Sequence, residues 1–491
     1  MSYFIRSTVL LVMCFLFNIT SAENTNTLLN KNIATYIDIS SQVVKIRNLI
    51  TVENKLNEPI SSYVFIVDPQ WKHNLSFVEA FDQSNNTLKV NRIQTDNTWL
   101  RFEIVFHEPL SSGETETINI FYVVINYLQS YPKSVEQNEK HLVLFHFNVY
   151  LYSIYLTKVQ VVYVHLGTSE IISVTGAEHE STNKPYVIKY GPYSDVSPLS
   201  EEISVIHYEN NSPFLTVEKL ERFVRISHWG FLKVWEKISL KHTGPKFKGP
   251  YERVPIKGKT SVVKDTRIES FITSLPGDAF DIDIKDEIGS IHSVTIDDNF
   301  ANKIEVDIRP RFVLYGGWKT YYEITYSLPI ANYVTYDPSS STFVLSVSVV
   351  DRVFPNMVIN EAEMSFILPE GGRFQDINPY YKLENNTDNR YCYFFDVICR
   401  EVVSFKRHDL TEHHVQKVSV SYSYPQLLML TKPLALTLLL FVVFLLFVIL
   451  PCSYFDSIDN QNKQSDVIAT QQPAKEVKKQ KKQQKSKVKK N

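Results

Sequence analysis

The strongest constraint on this chain is an uninterrupted apolar run near its C-terminal end. Leu434 to Leu450 is 17 residues long, and only Thr437 in it is polar. A helix rises about 1.5 Å per residue, so the run covers roughly 26 Å, which matches the hydrocarbon layer of a thin bilayer. Pro433 suits the first turn of a helix, and no polar face exists that would favour a buried core helix. The sequence therefore predicts a single transmembrane helix over residues 427–451.

The first 22 residues have the features of a cleaved secretory signal. Arg6 gives a positive start, Val9 to Phe17 is a short apolar run, and Ser21 and Ala22 are small enough for a cleavage site. Nine apolar residues are too few to span a bilayer. A signal over residues 1–22 and one late membrane helix predict a type I topology, with residues 23–426 in the lumen.

The remaining segment, residues 452–491, is strongly basic. The whole chain has a net charge of −2, yet Lys475 to Lys490 contains nine Lys against one Glu. Without an apolar period this cytosolic tail is expected to be disordered. Lys487 and Lys489 resemble the dilysine retrieval signal of resident endoplasmic reticulum membrane proteins, and a chance match in a lysine-rich tail is the alternative. No nucleic-acid contact is expected beyond weak electrostatic attraction of this tail to ribosomal RNA.

An oxidising lumen allows one disulfide and several N-linked glycans. Cys14 leaves with the signal and Cys452 is cytosolic, so Cys392 and Cys399 form the candidate pair. Glycosylation needs Asn in N-x-Ser/Thr. The candidates are Asn74, Asn85, Asn385 and Asn210, the last being doubtful because Pro213 follows its Ser212.

Apolar residues in the lumenal part alternate with a period of two. FVLSVSVV, starting at Phe343, and HVQKVSVSYSY, starting at His414, each place every second apolar residue on one face of a strand. Other segments are rich in Tyr, Ile, Val and Thr, which fit a pleated, half-buried surface. No long amphipathic helical pattern occurs, so we expect a mainly β fold.

The two halves of the lumenal part resemble each other. Four segments recur in the same order at an offset of about 188 to 207 residues. The pairs are 43–56 with 231–244, 62–69 with 269–276, 100–128 with 303–328, and 142–167 with 343–371. We expect two tandem, internally repeated β-sandwich-like domains, residues 23–210 and 211–426. The segment ISHWGFLKVWEKISLKHTG is then two strands joined at a His-Trp-Gly turn, and not a catalytic loop.

Motifs that would indicate an enzyme are weak. The chain has no phosphate-binding loop with a Walker lysine, no G-x-S-x-G and no H-E-x-x-H. RHDLTEHH, starting at Arg407, groups three His near two carboxylates, and a solvated turn is favoured over a metal site. Asp281 and Asp283 would share one face of a strand, but D-x-D has very low specificity. We expect no catalytic residue, no cofactor and no metal ligand.

Several stretches resemble the ribophorin I family, which is subunit 1 of the oligosaccharyltransferase complex. They are YGPYSDVSP (190–198), HYENNSPFLT (207–216), SHWG (227–230), LKHTGPKFKGPYER (240–253), DEIG (286–289), IRPRFVLYGGWKTYY (308–322) and ILPEG (367–371). The resemblance implies a single-pass type I protein of the endoplasmic reticulum membrane. It implies a non-catalytic accessory subunit that supports transfer of oligosaccharide from dolichyl diphosphate to Asn, with catalysis in a separate polytopic subunit.

The implied partners are the other subunits of that complex and the nascent polypeptide, with the translocon or ribosome as further candidates. The short basic tail departs from animal members of the family, which have a long cytosolic region. A cell-surface adhesion or receptor protein with tandem β domains is the alternative function, and a sugar transferase using Asp281 and Asp283 is a third. Cys399 stands where the family commonly has a turn glycine, so a bridge to Cys392 would be diagonal, with a Cα separation towards or beyond the ~7 Å limit.

Overall fold

The computed structural model describes residues 27–93, 99–137, 139–181, 186–249, 267–291, 294–300, 302–379, 384–393, 396, 398–450, 457–458 and 460–464. The predicted signal and the lysines at 487 and 489 lie outside these residues. By compactness the chain divides into two units. We call the first the β unit, which comprises the described residues up to Tyr391 together with Arg400–Ser423. The second, the anchor unit, comprises Cys392–Cys399 and the described residues from Tyr424 onward.

Fifteen strands make up the first half of the β unit as described. They are β1 (Leu28–Asp38), β2 (Val44–Asn54), β3 (Ile60–Val67), β4 (Leu75–Phe81), β5 (Thr87–Ile93), β6 (Leu100–Leu110), β7 (Thr115–Val124), β8 (Gln129–Ser130), β9 (Ser134–Val135), β10 (Leu142–Asn148), β11 (Thr157–His165), β12 (Ile171–Thr175), β13 (His179–Ser181), β14 (Val187–Val196) and β15 (Ile203–Glu209).

Fifteen further strands make up the second half as described. They are β16 (Leu215–Arg225), β17 (Phe231–His242), β18 (Lys246–Phe247), β19 (Phe271–Pro276), β20 (Phe280–Asp286), β21 (Val294–Phe300), β22 (Lys303–Ile308), β23 (Lys319–Pro329), β24 (Val334–Asp337), β25 (Thr342–Ser348), β26 (Val358–Ile367), β27 (Arg373–Asn378), β28 (Glu384–Tyr391), β29 (Arg400–Thr411) and β30 (Lys417–Ser423).

Helical structure is confined to short segments and one long one. Turns of 3-10 helix lie at Pro69–Trp71, Ile330–Asn332 and Glu412–His414. In the anchor unit an apolar helix covers Gln426–Leu450, and its first five residues form a 3-10 turn. Residues 457–458 and 460–464 are also helical. The chain is mainly β with a single C-terminal apolar helix, as the sequence predicts.

The strand patterns follow from alternation of apolar and polar residues. Along β17 every second residue is buried, from Leu232 to His242, and β2 alternates in nearly the same way. Successive side chains of a strand point to opposite faces, so such a sequence fits a sheet with one face against a core.

The strand order of the first half recurs in the second. The first half has a large sheet, β13-β14-β11-β1-β2-β7-β4-β5-β6-β3, and a small one, β12-β15-β10-β8. The second has β28-β29-β26-β16-β17-β23-β20, a separate β21-β22-β19, and β27-β30-β25-β24. Each half contains one parallel pair in its large sheet, β1 with β11 and β16 with β26. The two halves are therefore a topological repeat, and the four segment pairs found in the sequence occupy corresponding strands.

Each repeat is built as two layers. In the first repeat one apolar core joins residues of the large sheet, such as Ile33 and Ile118, to residues of the small sheet, such as Phe145 and Ile206. In the second repeat, Val347 and Val420 of the small sheet are fully or almost fully buried. The predicted boundary at residue 211 falls between β15 and β16, and we keep it as a proposal for the domain organisation.

Candidate membrane anchor and repeat junction

The anchor unit has a large exposed apolar surface, whose contact with water would be unfavourable. Gln426–Leu450 is, among the described residues, the one helix long and apolar enough to cross a membrane. Its large apolar side chains from Leu434 to Leu450 are between 37% and 74% exposed. A contiguous apolar surface of this size marks a membrane or protein contact. This helix is the candidate membrane anchor.

A disulfide-closed loop lies beside the first turn of that helix. The sulfur atoms of Cys392 and Cys399 are bonded, and their Cα atoms are 4.5 Å apart. Cys392 directly follows Tyr391, and Cys399 directly precedes Arg400. Tyr391 and Arg400 are paired with each other in the ladder of β28 and β29. The bridge is therefore short, and the diagonal geometry expected from the family's turn does not occur.

The loop also holds a buried carboxylate that the sequence analysis missed. Asp396 has a fully buried side chain, and Lys432 Nζ donates a 2.7 Å hydrogen bond to its Oδ1. The backbone N–H of Tyr393 donates to Asp396 Oδ2 at 3.1 Å. A lysine just before an apolar helix would be assigned to the membrane surface on sequence grounds, and only the folded loop reveals its partner.

The candidate glycosylation sites differ in accessibility. Asn85 lies exposed in the turn between β4 and β5, with a positive φ of 66° that suits Asn. Asn74 is half-buried, and its Nδ2 donates to the carbonyl of Ile125 at 2.9 Å. The hydroxyl of Ser76, the third residue of that sequon, donates to the carbonyl of Asp409 at 2.6 Å. The geometry favours Asn85.

Asn210 is the least accessible candidate. It is 2% exposed, and its Nδ2 donates to the carbonyls of Ile39 and Ser41 at 3.3 Å. A glycan on this amide would disrupt both hydrogen bonds and cannot be accommodated in the fold. Asn385 lies in β28, and its backbone faces Phe405.

The weak metal motifs are not assembled into sites. Asp281 has a φ of 56° and lies where the register shifts between Phe280 and Asp283, so the regular alternation expected for D-x-D is broken. Asp283 forms an ion pair with Lys285 at 2.5 Å. Within the described ranges no group of three or more His, Cys, Asp or Glu is placed to hold a metal ion.

The expectation of a solvated turn is wrong for His413 and His414, whereas His408 is exposed. The ring of His413 stacks on Phe77 with centroids 5.4 Å apart and meets Phe121 edge-on at 4.9 Å. His414 is 1% exposed, and the backbone N–H of Thr411 donates to its Nδ1 at 3.1 Å. Burial lowers the pKa of His414 to about 3. These histidines pack in the contact between the two repeats.

Apolar and polar groups together fix this contact, which we call the repeat junction. Val43 and Phe77 of the first repeat share a small buried cluster with Val358 of the second. The amide of Gln42 donates to the carbonyls of Leu215 and Asn356, both at 2.7 Å. A buried amide that satisfies two backbone carbonyls across the junction sets its register more tightly than apolar packing alone.

A second part of the repeat junction contains two buried histidines. His141 of the first repeat and His242 of the second are 0% and 1% exposed. The His141 ring meets Phe214 edge-on at 4.6 Å, and its Nε2 lies 3.2 Å from the hydroxyl of Ser130. Burial, and then the neighbouring His242, lowers the pKa of His141 to about 3. The His141 ring is therefore held in a dry environment that favours its neutral form.

Close backbone packing completes the repeat junction. β9 of the first repeat pairs in parallel with β18 of the second. A Cβ added to Gly316 would lie 1.7 Å from the carbonyl oxygen of Pro245, just before β18. The amide of Gln137 donates to the hydroxyl of Tyr315 at 3.1 Å. The RFVLYGGWKT stretch thus contributes to the join between the repeats, which gives its unusual residues a structural reason.

The second repeat also contains a fully buried charged network. Arg222 Nη1 donates to Glu236 and, at 2.7 Å, to Asp351. Arg222 Nη2 donates to the hydroxyl of Tyr326 at 3.1 Å. All four side chains are almost entirely shielded from water, and burial raises the pKa of Glu236 to about 7. An enclosed network of this kind fixes the packing of a core and offers no access to a substrate.

Comparison with known proteins identifies the family. The Ribophorin I profile matches residues 28–451, which covers both repeats and the apolar helix. This chain belongs to the Ribophorin I family. A curated relative named dolichyl-diphosphooligosaccharide–protein glycosyltransferase subunit 1, from Caenorhabditis elegans, is 30% identical over 427 residues, 87% of this chain and 72% of that protein. Subunit 1B from Arabidopsis thaliana is 28% identical over 422 residues, 83% of this chain and 89% of that protein.

Among the solved structures that resemble part of this Ribophorin I family member are zinc metallopeptidases. An M1 zinc metallopeptidase from Deinococcus radiodurans is 15% identical, covers 40% of this chain and 44% of its own, and has a TM-score of 0.23.

Proposed function

We propose that this chain is an accessory subunit of an oligosaccharyltransferase complex, acting in protein N-glycosylation. The observation that carries the proposal is the family match over residues 28–451. The relatives that match over most of this chain are named as subunit 1 of dolichyl-diphosphooligosaccharide–protein glycosyltransferase. The chain acts in the endoplasmic reticulum, bound to the membrane by its C-terminal helix.

The finer part of the proposal is that this subunit braces a partner and does not itself transfer sugar. Its charged core around Arg222 is sealed, and Asp283 is already paired with Lys285. The repeat junction supports a bracing role, since buried hydrogen bonds and backbone pairing hold the two repeats together. Catalysis then resides in another subunit of the complex.

We further propose a type I orientation, with both repeats in the lumen and residues 452–491 in the cytosol. The signal-like residues 1–22, the bonded Cys392–Cys399 pair and the exposed Asn85 support a lumenal β unit. Lys487 and Lys489 would return the chain from the Golgi. The lumenal position would also bring the nascent polypeptide within reach, while contact with the translocon or ribosome would involve the basic tail.

Purification from native membranes tests the assignment. With a tag placed after residue 26 and the C-terminus left free, a mild-detergent pull-down should recover the other oligosaccharyltransferase subunits. Depletion of the chain should lower occupancy of N-x-Ser/Thr sites in secreted glycoproteins. A pull-down free of those subunits, together with unchanged occupancy, would refute the proposal.

The non-catalytic role has a separate test. The purified chain is incubated with dolichyl-diphosphate oligosaccharide, an N-x-Thr acceptor peptide and Mn²⁺, beside the intact complex as a positive control. We expect transfer by the complex and none by the isolated chain. Transfer by the isolated chain that disappears in Asp283→Ala would instead support the transferase alternative.

A further inference from the structure

One end of the seven-stranded sheet exposes an unusual set of aromatic side chains. Trp229 is 60% exposed, Phe231 39%, Phe280 47% and Tyr391 44%. We call these four residues the aromatic rim. Phe231 opens β17, Phe280 opens β20 and Tyr391 closes β28, while Trp229 lies in the turn between β16 and β17. The rings of Phe231 and Phe280 meet edge-on with centroids 6.4 Å apart.

The strand pairings show that the four residues lie at the same end of the sheet. Phe231 faces Pro329 at the last residue of β23, and Phe280 faces Ser327 of the same strand. Tyr391 faces Arg400 at the first residue of β29. β16 ends just before the Trp229 turn, and its last residue pairs in parallel with the last residue of β26. The end of β26 in turn lies beside the start of β29.

The chain leaves the β unit at this same end. The chain leaves the β unit after Tyr391, returns to it at Arg400, and leaves it again after Ser423. The position of Ser423 is fixed within the β unit because its neighbour Tyr422 bonds through its hydroxyl to His228 Nε2, at 3.1 Å, in the Trp229 turn. Residue 431, where the 3-10 turn passes into α-helix, lies eight positions after Ser423, and such a segment spans at most about 28 Å. A short stretch of chain therefore connects the α-helical part of the membrane anchor to the end of the sheet that carries the aromatic rim.

The chemistry of the Trp229 turn suits the boundary between water and lipid. Residues 226–232, ISHWGFL, include no Asp, Glu, Lys or Arg. Burial lowers the pKa of His228 to about 4, so the turn is uncharged at neutral pH. Gly230 has a φ of 114°, and this left-handed conformation lets the turn present Trp229 outward. Trp and Tyr concentrate at the headgroup level of bilayers because one part of the ring system is apolar and another can hydrogen-bond.

The opposite end of the sheet offers a contrast. Phe312 is 47% exposed there, but it neighbours Arg311, whose guanidinium donates two hydrogen bonds to Asp286 at 2.6 and 2.9 Å. Lys319 and Glu218 form a further ion pair near that end. A strongly charged surrounding of this kind favours contact with water.

We propose that the aromatic rim inserts into the lumenal headgroup layer of the bilayer and gives the β unit a second, non-covalent attachment to the membrane. The helix tethers the chain, and the rim fixes the tilt of the sheet above the lipid. This inference does not depend on which complex the chain joins.

Lipid-dependent quenching of tryptophan fluorescence tests the proposal. The full chain is placed in nanodiscs of phosphatidylcholine brominated near the top of its acyl chains, and in matched unbrominated nanodiscs. The five tryptophans all lie between residues 71 and 318, so the membrane helix adds no signal. We expect bromination to quench the wild-type emission, and we expect Trp229→Phe to lose most of that quenching. Trp318→Phe, at the opposite end of the sheet, is the matched control and should retain it.

Equal quenching in wild type and Trp229→Phe would overturn the proposal, as would no quenching at all. A photo-crosslinking residue placed at 229 in native membranes gives an independent readout that does not need purification. Adducts with phospholipid at 229, and none at 312, support the proposal. Adducts at 229 with protein alone would assign the rim to another subunit and refute it.

Discussion

The buried histidine His141 predicts a measurable acid sensitivity of the β unit. Its imidazole lies in the repeat junction against Phe214 and His242. The Nδ1 atom has no hydrogen-bond partner among the described residues. A proton added to the ring would place a charge in a dry site, where burial and His242 outweigh the favourable interaction with the Asn210 backbone. We therefore consider the replacement His141→Gln, which removes the titrating ring and retains an amide that can reach Ser130.

The sign of the effect follows from the two pKa values. The folded pKa, about 3, lies below the ordinary histidine value of 6.5. As the pH falls, the unfolded chain therefore takes up the proton before the folded chain does. The contribution of the neutral His141 ring to the free energy of unfolding is complete above pH 6.5 and is lost as the pH falls towards 3. The free energy of unfolding falls by about 1.4 kcal/mol for each pH unit below the unfolded pKa. Between pH 6.5 and pH 5, roughly 1.5 units, the fall is about 2 kcal/mol. A folded pKa of about 4 would give nearly the same figure.

Thermal unfolding of the full chain in nanodiscs, at pH 7.5 and pH 5.0, measures this loss. The fall in Tm between the two pH values should be larger in wild type than in His141→Gln. The difference should be about 2 °C if both repeats unfold together, and about 5 °C if the first repeat unfolds alone. Comparing the two proteins cancels other titrating groups, including Glu236, whose raised pKa acts in the opposite direction.

The control is His165→Gln, which removes a histidine whose side chain is 55% exposed in the first repeat. Its fall in Tm should equal that of wild type. If His141→Gln and wild type lose the same stability on acidification, the ring is either hydrated or already protonated, and the reasoning about the junction fails.

Three further outcomes follow from the same contacts. Gly316→Ala should lower the free energy of unfolding by about 3 kcal/mol in a denaturant titration, because its Cβ would lie 1.7 Å from the carbonyl oxygen of Pro245; unchanged stability would show that this loop is free to move. Arg222→Met should cost about 3–5 kcal/mol in the same titration because two buried carboxylates lose their counter-charge. Lys319→Met should cost little, because the Lys319 side chain is 59% exposed. Asn85→Gln should remove one glycan, seen as a mobility shift equal to that of glycosidase treatment, and no shift would place the modification elsewhere.

Much of the fold could be predicted because its signals are local. The alternation in β17 and β25 needs only neighbouring residues to be read, and similar segments occur in the same order in the first repeat. The length of the apolar run from Leu434 likewise needs no knowledge of the rest of the chain. These signals predicted the β class, the repeat and the C-terminal helix.

The candidate sites were predicted less well, because accessibility depends on contacts distant in sequence. Asn85 and Asn210 both lie in N-x-Ser/Thr, yet one is exposed in a turn and the other bonds to the carbonyl of Ile39, 171 residues away. The histidines near residue 413 had the composition of a solvated turn. His414 is buried and His413 is half-buried because Phe77, in the other repeat, packs against both rings.

By itself the sequence determined that this chain forms sheets, that it forms them twice and that it carries one apolar helix suited to a membrane. Only the tertiary structure decided how the two repeats join and which polar groups their contact buries. It also decided that Lys432 pairs with Asp396, which lies in the disulfide-closed loop. The physical reason is that strand pattern and helix length are set by adjacent residues. Burial and partner choice are set by segments that meet only after the chain has folded.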